Sequence, residues 1–95
     1  IGLVQLRHLN KFNDRRRQIA ALYNKLLKDL PLVLPTAQLL GKSVYHMYVI
    51  RTRERDKLAD YLHQQNIFTG IHYPIPCHLQ PAVTARLGKI SLPEI

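Results

Sequence analysis

Val44-Tyr45-His46-Met47-Tyr48-Val49-Ile50 is the stretch on which the fold class turns. It is dense in β-branched and aromatic residues, which suit a pleated, packed surface. Both alternating faces are largely apolar, so the pattern predicts a strand covered on both sides. Helical patterns lie on either side of it. Upstream, Ile19, Leu22, Tyr23, Leu26, Leu27 and Leu30 recur at helical spacing and predict one wide apolar stripe, which Leu6, Leu9 and Phe12 extend. Arg15 and Arg16 interrupt that stripe, and Pro31 ends it by pushing the residue before it out of helical geometry. Downstream, a second helix is expected from Glu54 to Gln65, with Glu54 and Asp56 in the first turn, where the helix dipole favours negative charge. Leu58, Tyr61 and Leu62 form its expected buried face, and Asn66 is a suitable left-handed C-terminal cap.

Leu32 to Lys42 reads as a connector punctuated by Pro35 and Gly41. A short second strand is expected from Phe68 to Tyr73, after which Pro74 and Pro76 forbid regular pairing. Pro81 and Pro93 keep the tail irregular, apart from a helical turn expected between Ala82 and Arg86. The expected fold is therefore α+β: a long N-terminal helix, a small sheet of few strands with a second helix, and a proline-rich irregular tail. With 95 residues there is room for a single domain over 1–95. The opening Ile-Gly-Leu-Val carries no helix start signal, which leads us to expect that the chain belongs to something longer.

Hydrophobic residues at 46% and charged residues at 21% are ordinary for a globular protein and argue against disorder. No apolar run approaches the roughly 18 residues of a membrane span. The single cysteine, Cys77, excludes an internally disulfide-stapled domain, so a cytoplasmic location is expected. The formal charge is +8, from 14 Lys and Arg against 6 Asp and Glu, which fits a nucleic acid, an anionic substrate or an acidic partner. Arg15, Arg16 and Arg17 make one cluster, and Arg51, Arg53 and Arg55 another. Consecutive helical residues point about 100° apart, so the first cluster cannot face one groove and reads better as solvated helix charge. A basic module binding RNA or another polyanion is the competing expectation.

Thr69-Gly70-Ile71-His72-Tyr73-Pro74-Ile75-Pro76-Cys77-His78-Leu79-Gln80-Pro81 is the densest stretch chemically. Prolines fix φ and remove donors, so the segment follows a rigid, non-repetitive path of the kind that mounts binding groups. Adjacent Cys77 and His78 are not a usual chelating spacing, and no C-x-x-C or H-x-x-x-H pattern accompanies them, which speaks against zinc. Adjacency alone does not make His78 the activating base of a Cys77 nucleophile. His46 reads as a hydrogen-bonded core or interface residue, and His8 and His63 as helix-surface residues.

Taken in order, these segments resemble the C-terminal part of DegT-type sugar aminotransferases. Gly2-Leu3-Val4-Gln5-Leu6, Leu9, Arg15-Arg16-Arg17 and Tyr23 before Leu30-Pro31 are similar to the family's long helix. Tyr45 to Ile50 resembles its H-x-Y-V-I strand, and Arg55-Asp56-Lys57-Leu58 its R-D-x-L helix start. Asn66 to Pro76 with His78-Leu79-Gln80-Pro81 resembles G-I-x-T-G-I-H-Y-P-x-P-x-H-x-Q-P, with Asn66 in place of a glycine. The resemblance implies the small domain of a fold-type I pyridoxal-phosphate enzyme. It further implies transfer of an amino group, usually from glutamate, to a nucleotide-linked keto-sugar in amino-sugar and surface-polysaccharide biosynthesis. The lysine that holds the cofactor is implied to lie in a large domain upstream of Ile1, so this chain alone is expected to hold no cofactor and to be inactive, with no catalytic residue of its own. A homodimer is implied, with no nucleic-acid or membrane partner and no metal. His72 and Tyr73 are the expected substrate-binding residues, lining the cleft that the small domain closes. Family members continue past the Leu92-Pro93-Glu94 region into a final helix.

Overall fold

The computed structural model describes residues 1–36 and 41–92. The middle of the connector, 37–40, and the Pro93-Glu94 stretch lie outside the described residues. Four helices are formed among them: α1 (Gly2–Leu6), α2 (Leu9–Leu27), α3 (Arg55–Gln64) and α4 (Pro81–Leu87), with a 3-10 turn at Cys77–Leu79. The chain divides into two compact units, Ile1–Leu58 and Ala59–Ile95, the division falling inside α3.

In the first unit, the helix expected to run unbroken to Leu30 is parted at Arg7 and His8. Both residues keep right-handed helical backbone angles, and the His8 amide bonds to the Gln5 carbonyl at 3.0 Å, one residue short of the α register. No glycine or proline marks this break. α2 ends at Leu27, and the Leu30 amide tightens onto the Leu27 carbonyl at 3.1 Å before Pro31. The arginine cluster settles into one-turn contacts along α2: Arg17 pairs with Asp14, and Arg15 Nη1 donates to Gln18 Oε1 at 3.4 Å.

The most buried side of α2 lies beside its apolar stripe, which is covered only in part, where Tyr23 meets Tyr48. Ala20, at 2% exposure, is the single buried residue among those described, and Asn13, Arg17, Asn24 and Leu27 are half-buried around it. These positions recur every three or four residues and form one helical face. Ile19, Leu22, Tyr23 and Leu26 lie roughly 100° further round the helix and remain exposed. A polar pairing lies on this side. The Tyr48 hydroxyl donates to Asn24 Oδ1 at 2.5 Å, bringing the 44–50 segment over the Ala20–Asn24 side, and the Tyr48 ring meets Tyr23 at 5.0 Å and Tyr45 at 6.4 Å.

The two expected strands are not formed among the described residues. Val33 and Arg51 make one isolated antiparallel bridge, with reciprocal N–H···O bonds of 2.8 and 2.9 Å. Tyr45 adopts φ +45°, the left-handed region a strand cannot contain, while its amide bonds the Ser43 hydroxyl oxygen at 3.1 Å. From Met47 to Thr52 the residues still alternate exposed and half-buried, the period of an extended chain. A two-stranded ribbon is marginal without further strands to complete it. The expectation of cover on both faces therefore corrects to cover on one: Met47 and Val49 are exposed, while Tyr48 and Ile50 are half-buried.

Tyr48 also yields a measurable consequence. Its phenol titrates above the model-compound value of 10.0, first because it is withdrawn from water and then because the phenols of Tyr45 and Tyr23 stand beside it. A raised acid pKa favours the neutral form, so its stabilising contribution is complete below about pH 10 and fades as pH rises through the folded value. Phenolate difference absorbance should show one late-ionising tyrosine, lost in Tyr48→Phe. A titration in which that variant removes an ordinary tyrosine transition would contradict this.

In the second unit, α3 ends in a Schellman motif. Asn66 takes φ +59°, its amide bonds the His63 carbonyl at 2.9 Å, and the Ile67 amide reaches back to the Leu62 carbonyl at 2.8 Å. The expected cap is thus formed, with His63 and Phe68 packed edge to face at 5.2 Å beyond it. Of the expected buried face, Leu58 and Leu62 are half-buried and Tyr61 is exposed. Residues 67–76 run without a strand into the 3-10 turn. Pro81 opens α4 at a position where a missing N–H costs nothing.

Candidate functional site

The candidate site is the proline loop of the second unit. The Schellman turn at Asn66 redirects the chain out of α3, and Pro74 and Pro76 then hold it away from regular structure. His72 and Tyr73 are adjacent on this loop, their rings edge to face with centroids 5.3 Å apart. Both are exposed, Tyr73 at 75%. Gly70 lies beneath the imidazole: a Cβ there would stand 3.1 Å from His72 Cε1, closer than a side-chain carbon ordinarily sits. Glycine leaves room here for the His72 ring to fold back over the backbone, and a larger residue would push that ring outward by a few tenths of an ångström.

The loop is closed from its C-terminal side by Gln80. Its Nε2 donates to the Ile75 carbonyl at 3.1 Å, its own amide bonds the Cys77 carbonyl at 3.2 Å, and the Leu79 amide bonds the Pro76 carbonyl at 2.9 Å. The Gln80 carbonyl in turn receives the Val83 and Thr84 amides, each at 2.9 Å, which anchors the loop to the first turn of α4. The sequence reading passed over Gln80. Gln80 N-caps α4 without a side-chain bond into that helix, and its position in the sequence does not mark the bond it makes to Ile75.

Other chemistry-bearing groups are not brought to this loop. Cys77 is a free, exposed thiol and His78 is half-buried, and among the described residues no group of three His, Cys, Asp or Glu gathers as metal ligands would. His46 is exposed rather than in a core, as are His8 and His63. In the first unit a hollow of about 80 Å3 lies between Arg16, Ile19, Ala20, Tyr23, Tyr45 and Tyr48. It is well below the roughly 300 Å3 at which small-molecule pockets begin. At the start of α3 the charges satisfy one another, Lys57 Nζ with Glu54 Oε1 at 2.6 Å and Arg55 Nε with Asp56 Oδ1 at 2.9 Å. Among the described residues no helix is long and apolar enough to cross a membrane.

The loop's geometry and its wording can be set beside known proteins. A dTDP-3-amino-3,6-dideoxy-alpha-D-galactopyranose transaminase of Aneurinibacillus thermoaerophilus is 44% identical over 79 residues, which are 83% of this chain and 22% of the relative. A dTDP-3-amino-3,4,6-trideoxy-alpha-D-glucose transaminase of Streptomyces venezuelae is 40% identical over 80 residues, 83% of this chain and 21% of the relative. The crystal structure of S. venezuelae DesV in complex with a ketimine intermediate superposes with a TM-score of 0.84 at 38% identity, over 87% of this chain and 23% of that one. The chain thus spans about a fifth of the length of the curated relatives it matches. The profile of the DegT/DnrJ/EryC1/StrS aminotransferases matches residues 1–94. On that match, from the first helix to the end of the tail, the chain belongs to the DegT/DnrJ/EryC1/StrS aminotransferase family.

Proposed function

We propose that this chain is the C-terminal small-domain part of a pyridoxal-phosphate-dependent aminotransferase that moves an amino group, from glutamate, onto a nucleotide-linked keto-sugar during amino-sugar synthesis. The observation that carries the reading is the rigid loop displaying His72 and Tyr73 on a chain whose relatives are named as nucleotide-sugar transaminases. An imidazole donates one or two N–H groups, and a phenol both donates and accepts. That pair suits the hydroxyls of a sugar and the oxygens of a diphosphate, and the +8 charge assists the approach of such an anion. Segments 44–50 and 68–73 are proposed to become strands of a small sheet in the complete enzyme, where further chain covers their exposed sides. The complete enzyme is proposed to be a cytoplasmic homodimer that uses neither nucleic acid nor membrane as partner.

The residues present do not fit the cofactor. Every lysine among the described residues is exposed, and Lys57 is already paired with Glu54. A carbonyl-reactive lysine needs desolvation or a neighbouring cation to lower its pKa. The cofactor lysine is accordingly proposed to lie in the rest of the enzyme, and the role of this chain is to bind and orient the sugar nucleotide.

In the complete protein, Tyr73→Phe and His72→Ala should each raise KM for the sugar nucleotide by about 10- to 100-fold, the worth of a hydrogen bond to a charged group. The half-reaction with the amino donor should keep its rate. Wild-type KM in both variants would remove these residues from the site.

A further inference from the structure

Ile75 lies two residues beyond Tyr73, and its carbonyl oxygen is the acceptor that ties the displayed pair to the rest of the unit. Among the described residues no backbone amide of 68–76 donates to another backbone group outside the helices, and Pro74 and Pro76 have no amide hydrogen to give. The segment carrying His72 and Tyr73 therefore lacks a ladder or helix of its own to fix it. What reaches it is the Gln80 side chain, which spans back five residues across Pro76 and the 3-10 turn. Gln80 can do this because its backbone is held independently: its carbonyl is bonded by both Val83 and Thr84, with Thr84 Oγ1 a third donor at 3.3 Å.

We propose that Gln80 is a positioning residue, a latch that holds the Ile75 carbonyl and thereby fixes the loop geometry in which His72 and Tyr73 meet the sugar nucleotide. This rests on the substrate-binding reading of that pair. The chemistry demanded at position 80 is narrow. The acceptor is a carbonyl, so the side chain must donate an N–H or O–H. Leucine matches glutamine roughly in size and donates nothing. Glutamate matches it in reach, but its carboxylate is acceptor-only until it is protonated.

The test uses the complete protein with Gln80→Leu and Gln80→Glu. At neutral pH both should raise KM for the sugar nucleotide about three- to tenfold, the net worth of one neutral hydrogen bond, with the amino-donor half-reaction unchanged. Hydrogen exchange at the amides of Leu79 and position 80 should quicken by a similar factor, while Val83 and Thr84, bonded to the untouched backbone carbonyl, keep their protection. In Gln80→Glu the excess exchange over wild type should shrink as pH falls through about 4, where the carboxyl regains a proton to donate. Wild-type exchange at Leu79 in both variants, or equal loss at Val83 and Thr84, would overturn the latch. Faster exchange at Leu79 with unchanged KM would uphold the latch and overturn instead the assignment of His72 and Tyr73 to the substrate.

Discussion

The 95-residue chain by itself should transaminate no faster than free pyridoxal phosphate in solution, and borohydride should trap no stoichiometric adduct on any one lysine. The expected deficit is the whole of an enzymatic acceleration, about 10⁶-fold or more. Its physical basis is the state of the six lysines. All are exposed, so none is desolvated into a more nucleophilic form, and Lys57 Nζ is engaged by Glu54 Oε1 at 2.6 Å. The contribution proposed for this chain, a loop of hydrogen-bonding side chains, is orientation and not an electron sink, which a cofactor supplies. Incubation with cofactor, reduction, intact-mass measurement and peptide mapping give the readout. Scattered, substoichiometric labelling is the expected result, and one lysine modified to completion would refute it.

How far these features could be read in advance differs between elements for physical reasons. The end of α3 was legible because a left-handed cap restricts residue choice, and Asn66 is among the few types that take φ +59° readily. α4 was legible only as a turn between Ala82 and Arg86, because Pro81 reads in sequence as a source of irregularity where it in fact opens the helix. The break at Arg7 and His8 was not, since both residues stay in helical backbone geometry and neither is a breaker. The need of 44–50 for apolar cover was readable from its composition, whereas the left-handed turn at Tyr45 was not: tyrosine is a residue whose propensity points the other way. Which side of α2 is most buried was not legible either: periodicity detects apolar stripes, whereas the Tyr48 to Asn24 bond on the buried side has no period. In the loop, the absence of regular pairing was evident from the prolines, while the contact of the His72 and Tyr73 rings was not, and Gln80 escaped because its partner is a backbone carbonyl, to which sequence gives no clue.

The exposed part of the stripe leads to the second large effect: the chain in isolation should self-associate through α2. Leu9, Phe12, Ile19, Tyr23 and Leu26 all keep exposed surface, from 39% at Ile19 to 65% at Leu26, although Tyr23 already meets Tyr48 on one side. Their spacings of three, seven, four and three follow the alternation of a helix-pairing seam, with Arg16 at the one position where an apolar residue is missing. The 19 residues of α2 extend about 28 Å, long enough for several interdigitating layers. Fully burying a side chain of this kind contributes about 1.5–3 kcal/mol, so even partial cover of four or five outweighs the ordering of a rigid helix that is already formed. Arg16 sets the limit: two copies meeting in parallel would bring two guanidinium groups together, which favours a staggered or antiparallel pairing. α1, with no buried residue and Leu3, Val4 and Leu6 all exposed, should fray while α2 stays protected. Sedimentation across a concentration series should show association that Ile19→Lys with Leu26→Lys abolishes, and hydrogen exchange should be fast over 1–6 and slow over the middle of α2. A strict monomer, or residues 1–6 as protected as the middle of α2, would sink the prediction, because the stripe would then have a complete partner within these 95 residues.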